Sequence, residues 1–428
     1  MADSAFSLES LPTELLANIF QSLRPDIAPS VYWDQDTLPE YAIFQRLRLV
    51  SRKFSHTFRQ HPRLHQSLLV CGPLPLQHLS NLLHWIHEHA GSIQNVVFSK
   101  ESSDCQDAVL AALIAARTQL LSLCLWAQSL SGTVLSLLPS FSSLTNCAFE
   151  SATGDTLAMV PLQALPSLTD LYLQGPGVFT GLHLLPYLTS LVLQDTAVGH
   201  MEDPSYSCLS TLRALDLSDS ALYGLDSRGL VACKALELLC CDDCTVGARD
   251  ETQALLFRSN IETTYFPAAM ATLARLTQLQ LDMAPLGREQ IDLNGIYCLQ
   301  ALQVLVLDND KPCVISADVS RLSRLTALNL GASYSRIDLG PLAQWGFATN
   351  WTSLTALQTL KISQSVIEAG DSLLGLVQLV RLTQINFMSC RPADAASQAI
   401  LAQLLDAVSA QRPSIALAVD MRLMQRFD

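Results

Sequence analysis

The feature that most constrains this chain is a spacing. The template L-x-x-L-x-L recurs as Leu120-Leu123-Leu125, Leu168-Leu171-Leu173, Leu188-Leu191-Leu193 and Leu212-Leu215-Leu217. It continues as Leu276-Leu279-Leu281, Leu302-Leu305-Leu307 and Leu325-Leu328-Leu330. Weaker members fill the gaps: Ile93-Val96-Phe98, Leu144-Cys147-Phe149, Leu236-Leu239-Cys241, Leu357-Leu360-Ile362 and Leu382-Ile385-Phe387. Positions 4 and 6 of the template share one face of a strand, because side chains alternate sides. The segment between strands must then return and bury its own leucines, such as Leu162 with Leu165 or Leu182 with Leu185. No unit of this size closes a core alone, but stacked neighbours do. The 80 leucines among 428 residues are thus accounted for by register. Disorder is excluded by a hydrophobic share of 49%. The longest apolar run, Ala108 to Ala116, falls short of the roughly 18 residues of a spanning helix.

The unit starts advance by 27, 24, 24, 20, 24, 24, 40, 26, 23, 32 and 25 residues. Nine of these eleven steps fall in the roughly 20–29 range of leucine-rich repeats, which the chain resembles over about residues 91 to 410. The resemblance implies an α/β solenoid of the horseshoe kind, with parallel strands on its concave face. In that family position 9 commonly carries Asn or Cys. Here it reads Gln128, Ala152, Pro176, Thr196, Ser220, Cys244, Ala284, Asp310, Ser333, Ser365 and Cys390, which predicts irregular turns. The two long steps predict loops near 249–270, containing Tyr265-Phe266-Pro267, and near 340–352, containing Trp345 and Trp351. Loops of this length in compact folds tend to be functional or disordered.

Residues 1–90 do not follow the period. Leu11-Pro12-Thr13-Glu14-Leu15-Leu16-Ala17-Asn18-Ile19-Phe20-Gln21-Ser22-Leu23 places Pro at a helix start and apolar residues at helical spacing. Phe44 to Phe54 again carries apolar residues at helical spacing. The pair resembles the F-box, L-P-x-E-L-L-x-x-I-F-x-x-L followed by an L-V-C-x-x-W-like element. Ser51 and Phe54 stand where Cys and Trp are common, and residues 25–42 lengthen the connection. The resemblance implies a small all-α module that docks on the Skp adaptor of cullin–RING ubiquitin ligases. Its contact residues would be Leu11, Pro12, Leu15, Leu16, Ile19, Phe20, Leu49, Val50 and Phe54. The expected order is this module, a helical connector over 71–92, repeats over 93–411, and a tail over 412–428. Helical spacing of Ile400, Leu401, Leu404, Leu405 and Val408 predicts a closing helix, followed by a strand-like Ile415 to Val419.

The N-terminal residues lack the basic and apolar regions of a secretory signal, so a reducing cytoplasmic or nuclear setting is expected for the twelve cysteines. A net charge of −13 argues against nucleic acid as partner. Cys240-Cys241-Asp242-Asp243-Cys244 lacks a second ligand pair for zinc, and His84, His87 and His89 do not share one helical face. No phosphate loop, nucleophile elbow or zinc-protease helix occurs, so neither an enzyme nor a cofactor is expected.

Positions 3, 5, 7 and 8 of the template face away from the core. These columns hold Trp126, Glu150, Asp170, Tyr172, Gln174, Gln194, Asp195, Asp216, Asp219, Asp242, Asp243, Gln280, Asp282 and Asp308. Against nine acids stand only Lys361 and Lys100. Such a face would steer a basic or amide-rich target protein. The resemblance as a whole implies a substrate-recognition subunit of an SCF-type ubiquitin ligase. Two alternatives are a repeat scaffold with a helical cap and an inhibitor that wraps its target.

Overall fold

The computed structural model describes residues 67–70, 74–98, 105–127, 132–151, 156–176, 178–195, 197–198, 209–218, 221–222, 232–241, 272–282, 296–308, 313–315, 317–331, 343–347 and 351–419. The F-box-like contact residues and the 249–270 segment lie outside them, as do Asp219, Asp242 and Asp243. The chain divides into two compact units, 1–192 and 193–428.

In the first unit, strands Ser67–Val70, Asn95–Phe98, Ser122–Ala127, Asn146–Ser151 and Asp170–Gln174 pair in parallel, each beside the next. The register equates template positions: Val96 pairs with Leu123, Leu123 with Cys147, and Cys147 with Leu171. Burial alternates along Asp170–Gln174, with Leu171 and Leu173 inside and Asp170, Tyr172 and Gln174 half-buried. The returns are helices α1 (Leu76–His89), α2 (Gln106–Ala115) and α3 (Gly132–Leu137), and later 3₁₀ turns such as Val160–Ala164. Leu162, Leu165, Leu182 and Leu185 are all buried. Shortening the return from α-helix to 3₁₀ turn fits the narrowing step of the repeat.

In the second unit the main strands are Ala214–Asp216, Leu238–Cys241, Gln278–Asp282, Val304–Asp308, Ala327–Gly331, Thr359–Ile362, Gln384–Phe387 and Ala416–Val419. Each pairs in parallel with the next. The 40-residue step leaves the register intact, since Leu239 pairs with Leu279 and Cys241 with Leu281. The 32-residue step does so too, pairing Leu328 with Leu360. A second parallel sheet runs through Cys313–Ile315, Ala343–Phe347, Ser365–Glu368 and Arg391–Pro392. Where a projecting loop is expected at 340–352, the chain instead adds a strand to this sheet. Trp351 opens a 3₁₀ turn and is fully buried, so it is core. Helix α4 (Ala395–Gln411) follows the last repeat, capped by Asp394, whose side chain accepts from the Ser397 N–H at 2.7 Å. That hydrogen bond lowers the Asp394 pKa below the ordinary carboxylate value.

A repeated hydrogen-bond unit joins the strands. The N–H groups at template positions 2 and 3 both donate to the position-2 carbonyl of the preceding repeat. Thr169 and Asp170 donate in this way to Thr145 O at 2.9 and 3.0 Å, and Gln358 and Thr359 to Thr326 O at 2.8 and 3.0 Å. Where position 2 is threonine, its hydroxyl adds a further donor, as in Thr145 to Leu121 O, Thr277 to Glu237 O and Thr383 to Gln358 O. Among the described residues no helix is long and apolar enough to cross a membrane.

Candidate functional site

The face made by positions 3, 5 and 7 differs between the units. In the first unit its position-5 column is apolar and closed: Val97, Cys124 and Ala148 are buried, with Tyr172 packed against them. Tyr172 and Gln174 come together, the phenol donating to Gln174 Oε1 at 2.8 Å. Asp170 accepts from the Thr169 hydroxyl at 2.6 Å. Glu150 sits between Trp126 and Gln174 in the register and is 7% exposed. The acids expected to bind a target therefore differ in exposure in this unit, and Asp170 remains half-buried. Glu150 is withdrawn from solvent, and the centre of the face is a buried apolar strip.

Two acids of the second unit serve the backbone. Asp216 is 5% exposed, and its Oδ1 accepts from the Ser218 N–H at 2.9 Å and the Ser218 hydroxyl at 2.6 Å. This is an Asx-type closure of the turn that leaves the strand. Asp195 has φ of 53°, in the left-handed region. Gly175, Gln364 and Ser389 occupy the same template position 8 with φ of 115°, 50° and 58°. Position 8 is thus a turn position in four repeats, where glycine has no steric cost and Asp is among the better-tolerated residues. Asp282 and Asp308 are in register at the ends of adjacent strands.

Position 9 is also structural. The Cys390 thiol donates to Ile362 O at 3.1 Å, and the fully buried Ser365 hydroxyl donates to Ser363 O at 2.6 Å. The serine and cysteine of the last two repeats therefore bond turning backbone, as the family's Asn or Cys does. The threonines at position 2 were legible as a column in the sequence, yet their role appears only with the pairing.

Further along the second unit the position-5 column becomes polar and accessible. Gln280, Asn329, Lys361 and Asn386 are half-buried, interrupted by half-buried Val306 and flanked by exposed Gln278 and Gln384. Asn329 pairs with Lys361 in the register, and Lys361 with Asn386. Asn386 Oδ1 accepts from the Met388 N–H at 2.9 Å.

The histidine and cysteine clusters have local explanations. His84 Nε2 lies 3.3 Å from Glu88 one turn on, and His89 stacks on Trp85 with ring centroids 4.7 Å apart. Cys241 is buried, and Cys240 Sγ lies 3.2 Å from the Ser218 hydroxyl. Burial raises the Cys147 thiol pKa strongly, that of Cys233 to about 11 and that of Cys390 to about 12. A protonated thiol is a poor nucleophile. Brief iodoacetamide treatment at pH 8 should therefore alkylate exposed Cys298 but spare Cys147, Cys233 and Cys390 until denaturant is added. Peptide mass spectrometry reads this directly, and labelling of Cys147 as fast as Cys298 would refute the burial.

No family model matches the chain, and no curated protein matches it. Solved structures of repeat proteins are similar to it. An internalin (inlF) of Listeria monocytogenes is 15% identical, with 76% of this chain and 92% of that one covered and a TM-score of 0.47. A leucine-rich-repeat protein of Leptospira interrogans is 14% identical, with 85% and 97% covered and a TM-score of 0.45. The ectodomain of a plant membrane receptor kinase from Arabidopsis thaliana is 15% identical, with 83% and 47% covered and a TM-score of 0.42. The register and the carbonyl ladder carry the assignment independently of these likenesses. The described residues form a leucine-rich-repeat array.

Proposed function

We propose that the chain is the substrate-recognition subunit of an SCF-type ubiquitin ligase. The Skp adaptor would be held by Leu11, Pro12, Leu15, Leu16, Ile19, Phe20, Leu49, Val50 and Phe54, and a target protein by the repeats. The observation that carries this reading is Leu11 to Leu23, which matches the first half of the F-box ahead of a repeat array. An exposed apolar helix face is the kind of surface that docks into a partner's groove, and a few anchors then dominate the affinity. In this reading no bond is made or broken on the chain. It supplies proximity, raising the effective concentration of the target's lysines at the ligase.

Co-purification with the Skp adaptor tests the proposal. The unmodified protein should retain the adaptor, and Leu15→Asp plus Phe20→Asp should weaken retention roughly 700-fold, as loss of two anchors of about 2 kcal/mol each requires. Failure of the unmodified protein to bind would overturn the ligase reading and leave a repeat-protein scaffold or inhibitor whose N-terminal segment serves as a cap.

A further inference from the structure

Among the described residues of the second unit, one partly exposed pair offers more hydrogen-bond donors than the acceptors beside it can use. Lys361 and Asn386 occupy position 5 of adjacent strands and are direct partners in the register. Adjacent parallel strands lie about 4.8 Å apart, so the two side chains leave the same face side by side. Asn386 Oδ1 is already bound by the Met388 N–H. A backbone N–H can only donate, so this contact fixes the amide orientation and leaves the Asn386 NH₂ as its available group. Lys361 contributes up to three more donors. It makes no ion pair or hydrogen bond among the described residues.

The neighbouring column member, Asn329, completes the picture. Its Oδ1 is shielded from solvent and accepts no hydrogen bond among the described residues. It is directly opposite Lys361 in the register. Met388, 44% exposed, provides an apolar neighbour at the strand end. A cation beside an amide NH₂, with no acid paired to it among the described residues, complements a carboxylate. One carboxylate oxygen can take the ammonium and the other the amide.

We infer that this patch seats an acidic side chain of an extended partner segment, its carboxylate bridging Lys361 and Asn386. The preferred partner at this place therefore has the opposite charge sign to the one the acid columns call for. The inference rests on the repeats being the partner-binding part of the chain, and it does not depend on the adaptor.

The test uses the full chain and two acetylated, amidated nonapeptides, one alternating Glu with Ser and the other Gln with Ser. Blocked ends remove the terminal carboxylate as a source. Fluorescence anisotropy should show the Glu peptide binding at least about tenfold more tightly than the Gln peptide at low salt. Raising the ionic strength should shrink that ratio. Lys361→Gln should abolish the preference, Asn386→Leu should reduce it several-fold, and exposed Lys234→Gln should leave it unchanged. Lys361 and Asn386 are partly exposed, so matching thermal melts separate lost binding from lost folding. Equal binding of the two peptides, or a preference that survives Lys361→Gln, would overturn the inference. Adaptor co-purification is scored on the same preparations. Its loss with an intact Glu preference would sink the ligase reading alone, and the reverse pattern would sink this inference alone.

Discussion

Replacing Trp351 with alanine is expected to remove about 3–5 kcal/mol of stability from the second unit. Among the described residues the indole is the largest of the fully buried side chains. It opens the 3₁₀ turn Trp351–Ser353, and its carbonyl accepts from the Leu354 N–H at 2.9 Å. The next repeat's return segment, Asp371–Gln378, lies against it. A Cβ added at Gly375 would sit 3.6 Å from Trp351 Cβ and 3.5 Å from Thr352 Cγ2. Two return segments thus approach closely beside the indole, and alanine would leave a cavity that neither can fill without moving. Urea unfolding followed by far-UV circular dichroism measures the loss. Gly375→Ala is a useful companion, since its new methyl makes only ordinary contacts and should change stability little. A Trp351→Ala loss below about 1 kcal/mol would show that the indole is not core.

Leu404→Asp should have an effect at least as large, about 5 kcal/mol or complete detachment of α4 from the repeats. Leu404 and Val408 are fully buried one turn apart and face the last repeat, so an aspartate there loses apolar contact and must also desolvate. The helix is tied at both ends. The Ala369 N–H donates to the Ser397 hydroxyl at 3.1 Å near its start. Beyond its end, the Arg412 guanidinium donates to Leu379 O and Val380 O, each at 3.0 Å, and to Leu382 O at 3.3 Å. Those carbonyls belong to the final return, so α4 closes the stack by satisfying its last backbone groups as well as its leucines. Limited proteolysis should cut the variant rapidly between 393 and 412, while exposed Gln403→Asp leaves the helix protected. Equal protection of the two variants would show that α4 does not seal the repeat.

The repeat step and its inward residues were readable directly. Every described strand from Asn95–Phe98 to Gln384–Phe387 begins where the template places it, including the two flanking the 40-residue step, whereas Ser67–Val70, expected within an all-helical module, is instead a further parallel strand of the sheet. The closing helix and its strand were also legible, because Leu404 and Val408 fall at helical spacing and Ala416–Val419 follow at once. The strand Ala343–Phe347 was not. Its pairing partners, Cys313–Ile315 and Ser365–Glu368, belong to other repeats, and no local pattern announces a contact of that kind. Two acids of the outward columns have local roles that the sequence does not display. Asp195 and Asp216 are polar because a left-handed turn and an Asx closure favour aspartate, which in a sequence looks the same as a charged surface.

The spacing of leucines, by itself, determined that the chain would stack repeats, which face of each strand would be inside, and where the last repeat would end. Alternation along a strand suffices for that, since it is a property of one backbone. Only the tertiary structure decided which outward positions meet water. Cys124 and Lys361 hold the same place in the template, yet Cys124 is closed in with Val97, Ala148 and Tyr172 while Lys361 stands open beside Asn386. Accessibility depends on side chains of neighbouring strands about 4.8 Å away, and these come from residues 20 or more positions distant in sequence.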